Sequence, residues 1–173
     1  TALLRRRTHK FVRANQMYFT RQALEQASAE IVAGYRARRY AHYSLVADLG
    51  CGIGGDALGL ATVARVRVAA LDRDGIRLLM AAANAEAYGV RAQLQLMRAD
   101  VTALPLTPGL PFWADPARRA GAKRFFHLRD YAPPLGGLLT LAARAPGAGI
   151  KLSPGVDYDE LTELLGPAPH EVE

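Results

Sequence analysis

Between residues 45 and 55 the chain reads Leu-Val-Ala-Asp-Leu-Gly-Cys-Gly-Ile-Gly-Gly, and this stretch constrains the fold more than any other. Leu45 to Leu49 is a short apolar run that fits a buried parallel strand. Gly50, Gly52, Gly54 and Gly55 follow within six residues. Glycine admits the positive φ angles of a tight strand-to-helix turn and lets the backbone approach a ligand closely. A strand running into such a turn is the opening of a nucleotide-binding βαβ unit.

The rest of the chain repeats the alternation. Leu24, Ala27, Ile31 and Tyr35 recur at helical spacing and predict a helix over 23–43, with Thr20 as N-cap. After the glycines, 57–64 reads as helix and 66–71 as a second strand. Residues 74–88 form the next helix, with Ile76, Leu79, Met80, Ala83 and Ala87 on its apolar face and Gly89 closing it. Strands are expected at 94–97 and 110–114, a helix at 136–145, and a fifth strand at Ile150-Lys151-Leu152. The fold class expected is α/β: a Rossmann-like, doubly wound, mainly parallel sheet with helices on both faces, preceded by a basic N-terminal helical segment. Residues 1–43 are read as that basic lobe and 44–173 as the ligand-binding core.

Composition narrows the class. The chain has 173 residues, half of them apolar, which suits one domain with a sizeable core. No apolar run reaches the ~18 residues of a membrane span, and Arg5-Arg6-Arg7 precedes a polar stretch rather than a signal-peptide core. The single cysteine, Cys51, excludes an internal disulfide and a Cys-rich zinc site, and a cytoplasmic location is expected. His9, His42, His127 and His170 show no metal-ligand spacing, so no metal is expected. The formal net charge is +6. Residues 1–43 hold nine basic groups (Arg5, Arg6, Arg7, Lys10, Arg13, Arg21, Arg36, Arg38, Arg39) against two acids, more than the whole excess. Such a lobe suits a polyanionic partner such as RNA; a solvated, Arg-rich helix surface is the plainer alternative.

Three acids close three successive strands. Asp48 stands two residues before Gly50, where a carboxylate can meet the amino-acid moiety of a methyl donor. The stretch is read as D-x-G-x-G-x-G-G rather than as the G-x-G-x-x-G of a dinucleotide site, which wants the turn uncluttered for pyrophosphate. Asp72 ends the second strand at the distance where an acid hydrogen-bonds ribose hydroxyls, and Asp100 with Val101 follows the third strand, where adenine would lie. The cofactor-binding set is therefore Asp48, Gly50, Gly52, Gly54, Asp72, Asp100 and Val101. Cys51 is read as a small structural residue within the turn.

Val46-Ala47-Asp48-Leu49-Gly50-Cys51-Gly52-Ile53-Gly54-Gly55-Asp56 resembles motif I of class I S-adenosylmethionine-dependent methyltransferases. Asn84-Ala85-Glu86-Ala87-Tyr88-Gly89-Val90 resembles a helix of trimethylguanosine-synthase-like RNA methyltransferases. Segments 114–119, 131–135 and 151–155 resemble bacterial methyltransferases that carry a THUMP-like C-terminal domain. The resemblance implies S-adenosylmethionine as cofactor and methyl transfer as activity, with RNA as the expected acceptor by direct in-line transfer. A seven-stranded sheet of this class calls for two more strands beyond residue 173.

In that family the turn after strand four holds the acceptor, which makes Asp115 and Pro116 the candidate catalytic residues. Ala117 and Arg118 depart from the family's Pro-aromatic pair. Trp113 and Tyr131 are candidates to stack a base, and Arg118 and Arg119 to hold phosphates, with core packing and a solvated loop as the alternatives. Lys151 reads either as a substrate-facing residue or as an edge lysine extending to water. A catalytically degenerate RNA-binding fold, a nucleotide-cofactor oxidoreductase, and a methyltransferase for protein or small molecules remain as rival readings.

Overall fold

The computed structural model describes residues 5, 8–103, 109–117, 119–120, 123–124, 131–166 and 170–171. Five strands form one all-parallel sheet: β1 (Leu45–Leu49), β2 (Arg67–Asp72), β3 (Leu94–Arg98), β4 (Phe112–Ala114) and, after a two-stranded hairpin of β5 (Arg119–Ala120) and β6 (Lys123–Arg124), β7 (Ala148–Ile150). Their order is β3-β2-β1-β4-β7. The chain winds outward from β1 in one direction through β2 and β3, then returns to add β4 and β7 on the other side. The reversal between β1 and β4 is the place where ligands bind in open α/β sheets, outside the carboxyl ends of the strands.

Strand alternation sorts the core onto two faces. Val46, Val68, Ala70 and Trp113 point to one side, where they meet α3 (Gly55–Gly59, continuing as a π-turn through Leu60–Ala64) and α4 (Gly75–Ala87). The same cluster takes in Phe11, Met17, Phe19, Leu24 and Tyr40. These come from the segment carrying α1 (Arg21–Gln26) and α2 (Glu30–Ala37), so the apolar residues of the basic N-terminal segment pack directly on the sheet's own core. Ala47, Leu49, Leu71, Phe112 and Ala114 point to the other side, against Leu138 of α5 (Leu135–Ala142). A third cluster joins Tyr131 and Leu135 to Leu161 of α6 (Tyr158–Leu165).

Four details depart from the sequence expectations. The helix expected over 23–43 is broken at Ala27–Ala29, where the backbone is extended at both alanines. Lys10 causes the break: its Nζ donates to the carbonyls of Leu24, Glu25 and Ala27 at 2.8–3.0 Å, and its own carbonyl accepts the Glu30 N–H. Thr20 is an N-cap, accepting the Ala23 N–H, but of a six-residue helix. Second, α4 turns Leu78, Ala81, Asn84 and Ala85 inward, while Ile76 and Leu79 are 64% and 72% exposed. Small residues win this face because Ala81 lies against Gly54, where an added Cβ would sit 3.3 Å from the Ala81 side chain. Third, β7 ends at Ile150, not Leu152. It runs through Gly149, where a Cβ would stand 2.6–2.8 Å from the Tyr40 hydroxyl and the Trp113 ring. Fourth, α6, capped by the Asp157 carboxylate, carried no sequence expectation.

α2 packs on α3 at backbone distance. A Cβ at Gly59 would lie 2.8 and 2.9 Å from the backbone carbon and oxygen of Ala33. Backbone cannot yield as a flexible side chain does, so Gly59→Ala is expected to destabilise the fold by about 1–3 kcal/mol, an overpacking cost. Chemical denaturation checks this; an unchanged midpoint would mean the two helices separate freely.

Candidate active site

The glycine corner is built by β2. Both Gly50 and Cys51 donate their N–H to the single carbonyl of Leu71, at 2.9 and 2.8 Å, which turns the chain sharply out of β1. Gly50, Gly52 and Gly54 all have positive φ, at 86°, 56° and 88°. A Cβ added at Gly50 or Gly52 would meet no atom within 4 Å, so both α-carbons face open space. Gly50, Gly52 and Gly55 do also spell G-x-G-x-x-G, so glycine spacing does not separate this corner from a dinucleotide turn; the acid before it has to do so.

Asp72 braces the corner from the end of β2. One carboxylate oxygen accepts the Gly52 N–H and the other the Asp74 N–H, each at 2.8 Å. Asp48 is 2% exposed and lies beneath the corner, accepting the backbone N–H of Ala57, while its Oδ2 is buried with no hydrogen-bond partner. Burial pushes the Asp48 carboxyl well above the usual carboxylate range, and the neighbouring Asp56, Asp115 and Asp72 carboxylates push it further. Asp100 differs. It is solvent-exposed beyond β3, its carboxylate held by the Thr102 N–H and hydroxyl, which lower its pKa. Val101 is half-buried against the β1–β4 face of the sheet. Ala99 donates to the Asp72 carbonyl, so the ends of β2 and β3 stay joined as Asp100 is reached.

Across the reversal, β4 delivers Asp115 and Pro116. Asp48 is in register with Trp113, and Leu49 with Ala114, so Asp115 emerges beside the first residues of the glycine corner. Pro116 is fully buried, and Ala117 exchanges two backbone hydrogen bonds with Ala132 that fix the turn. Burial raises the Asp115 pKa against the opposing pull of Lys151, whose ammonium donates to Asp115 Oδ2 at 2.5 Å. Lys151 is therefore ion-paired within the site rather than extended to water. Ser28, Arg36 and Asp56 complete the cluster. Arg36 donates to the Ser28 hydroxyl and the Asp56 carboxylate, with its guanidinium 4.3 Å from the centre of the Trp113 ring.

Two aromatic candidates are enclosed in this structure. Trp113 is 8% exposed, and Arg36 covers its ring, which leaves it no open face for a base. Tyr131 is 2% exposed in the α5–α6 cluster, its hydroxyl accepting the Ser153 N–H. Arg118 lies outside the described residues, and Arg119 opens the β5–β6 hairpin. The basic lobe is thinner than its residue count: Lys10 and Arg36 bond inward, while Arg13, Arg21, Arg38 and Arg39 are exposed. Among the described residues no helix is long and apolar enough to cross a membrane, and no group of three His, Cys, Asp or Glu side chains is placed to hold a metal ion.

Sequence reading passed over Asn84, which is fully buried. Its amide donates to the carbonyls of Tyr18 and Ile53 and accepts the Tyr18 N–H. The signal was a polar residue in the middle of an otherwise apolar helix face.

Known proteins resemble the chain in sequence and in fold. The family described as RNA cap guanine-N2 methyltransferase matches residues 43–139, more than half of the chain. Two Mycobacterium tuberculosis proteins, each described as an uncharacterized S-adenosylmethionine-dependent methyltransferase, are 42% identical over 171 residues. The chain belongs to the class I S-adenosylmethionine-dependent methyltransferases. The alignment takes in 95% of this chain and 46% of each relative, so the chain spans about half the length of the curated relatives it matches. A Porphyromonas gingivalis W83 structure described as a candidate methyltransferase superposes with a TM-score of 0.68 at 25% identity, covering 85% of this chain and 37% of that one. TrmN from Thermus thermophilus superposes with a TM-score of 0.51 at 25% identity, covering 73% and 39%.

Two outcomes follow. Replacing Asn84 by alanine removes the partner of three backbone groups, two half-buried at Tyr18 and one buried at Ile53, and is expected to cost on the order of 3 kcal/mol; denaturant titration measures it, and a loss below about 1 kcal/mol would deny Asn84 this role. For Asp48 the folded state binds a proton more tightly than the unfolded chain, whose carboxyl has the ordinary value of 3.8. The stability it contributes is thus fully present below that value and is lost as pH rises through the raised one. Asp48→Asn should flatten this decline, so thermal midpoints of wild type and variant should converge at acid pH and separate, with the variant higher, as pH rises. Parallel profiles would show that the carboxyl is ionised throughout.

Proposed function

We propose that this protein transfers a methyl group from S-adenosylmethionine to an RNA acceptor at the reversal between β1 and β4. The observation that carries the reading is the juxtaposition there of an open glycine corner and a braced Asp-Pro turn. The corner fits the cofactor: Gly50 and Gly52 leave a cradle that any side chain would fill, and the unpartnered Asp48 Oδ2 stands beneath it. Asp48, Gly50, Gly52 and Gly54 would hold the amino-acid part, Asp72 the ribose, and Asp100 with Val101 the adenine. When bound, S-adenosylmethionine supplies an electrophilic methyl group on a sulfonium.

The protein's part is placement. Asp115 and the Pro116 turn orient the acceptor so that its lone pair faces the methyl group, a contribution that can reach several kcal/mol without a covalent intermediate. The backbone brace from Ala132 keeps that turn in place. RNA is favoured as acceptor because the matching family is described as RNA cap guanine-N2 methyltransferase and because Arg13, Arg21, Arg38 and Arg39 are exposed, Arg21 and Arg39 sharing their charge with Glu25 and Glu171. Arg118 and Arg119 are proposed to add phosphate contacts next to the turn.

Radiolabelled donor offered to total RNA, total protein and metabolite pools, with Asp115→Ala as control, is the test. Label is expected in RNA and lost in the variant; label in protein with none in RNA overturns the acceptor. Asp72→Ala releases the Gly52 N–H of the corner and the Asp74 N–H before α4, and is expected to weaken donor binding by roughly 1.5–3 kcal/mol, the scale of hydrogen bonds to a charged group. Isothermal titration reads this, and unchanged affinity removes Asp72 from the site.

A further inference from the structure

We propose that Lys151 is a positioning residue for methyl transfer, pinning the Asp115 carboxylate by Oδ2 so that Oδ1 is left to meet the acceptor. The inference rests on the reading of Asp115 given above and adds a residue from a different strand to the acceptor turn. Lys151 follows directly on β7, and its backbone N–H donates to the carbonyl of Ala114, the residue before Asp115, at 2.9 Å. Its ammonium then closes on Asp115 Oδ2 at 2.5 Å. Backbone and side chain of one residue thus hold the end of β4 from two directions, and the carboxylate cannot rotate without breaking a charged hydrogen bond. The same ammonium lies 3.5 Å from the Ser28 hydroxyl between α1 and α2, which also receives Arg36. The N-terminal segment is therefore tied into the acceptor turn through Lys151.

The surroundings explain why a cation is required. Asp115 is faced by Asp56 of α3, by Asp48 of β1, by Arg36 of α2 and by Lys151 after β7. With Lys151 removed, two carboxylates and one already paired guanidinium remain, and Asp115 would hold a proton at higher pH. A protonated carboxyl offers a donor where the acceptor's N–H or O–H needs a lone pair, so orientation is lost before binding is.

The test compares the full chain with Lys151→Met, Lys151→Arg and Asp115→Ala, using the pool that the wild type labels. Lys151→Met is expected to lower kcat at least tenfold with unchanged donor affinity, and to move the acidic limb of the kcat profile up by about one pH unit, the lower end of what an adjacent opposite charge does. Lys151→Arg should recover part of the rate. Carbon-13 NMR titration of the Asp115 carboxyl should show its midpoint raised in Lys151→Met. An unmoved midpoint, or a wild-type kcat and pH profile in Lys151→Met, overturns the proposal. Full activity in Asp115→Ala would instead overturn the acceptor-turn reading on which it stands.

Discussion

A buried amide joins the parts of this molecule that have to stay together. Asn84 sits in the middle of α4 with no exposed surface, and its side chain bonds both backbone groups of Tyr18 and the carbonyl of Ile53. Those partners belong to the N-terminal segment and to the glycine corner. A buried amide is tolerated only when its polar atoms are paired, and here the pairing specifies one arrangement of three chain segments. The Leu71 carbonyl does related work on the other side of the corner by accepting from Gly50 and Cys51 together. Between these two anchors the positive-φ glycines are held in a shape that faces the crevice without a side chain to fill it.

The parallel sheet and its strands were largely legible in the sequence. The apolar run at 45–49 and the run ending at Asp72 are short, β-branched or alanine-rich, and bounded by turn residues, so period and length agree. The corner was legible for the same local reason. What escaped was set by long-range packing. Counting apolar residues on α4 favoured Ile76 and Leu79, because the count ranks bulk above fit; Gly54 admits only a small neighbour, and Ala81 and Asn84 take the inner face. The break between α1 and α2 is imposed by Lys10, more than ten residues away in sequence, and no propensity within 23–43 announces it. Trp113 and Tyr131 suit a base platform by type and by nearness to the turn, but how far each ring is enclosed is set by packing from elsewhere: Arg36 covers Trp113, and Tyr131 sits with Leu135 and Leu161.

The pairing of Lys151 with Asp115 was hidden for a related reason. It joins the residues that follow two adjacent strands, more than thirty positions apart in the chain, and the strand before Lys151 is only three residues long. Charged groups gathered out of water are expensive unless paired and hydrogen-bonded, and replacing such groups by apolar ones often leaves a protein no less stable. Asp48, Asp56 and Asp115 with Arg36 and Lys151 therefore do not account for the fold's stability. Their concentration beneath the carboxyl ends of β1 and β4, away from the aliphatic centre, is what a site retained for chemistry looks like.

Lys10 has a consequence for how this protein meets other charged molecules. Its ammonium is committed to three carbonyls at the end of α1, and burial together with nearby Lys151 lowers its pKa. It cannot lend its charge to a chain of phosphates without unmaking the join between α1 and the strand of backbone before it. The salt sensitivity of any polyanion bound at this face then counts only the cations on the outside, and its slope is shallower than the composition of the first forty-three residues suggests.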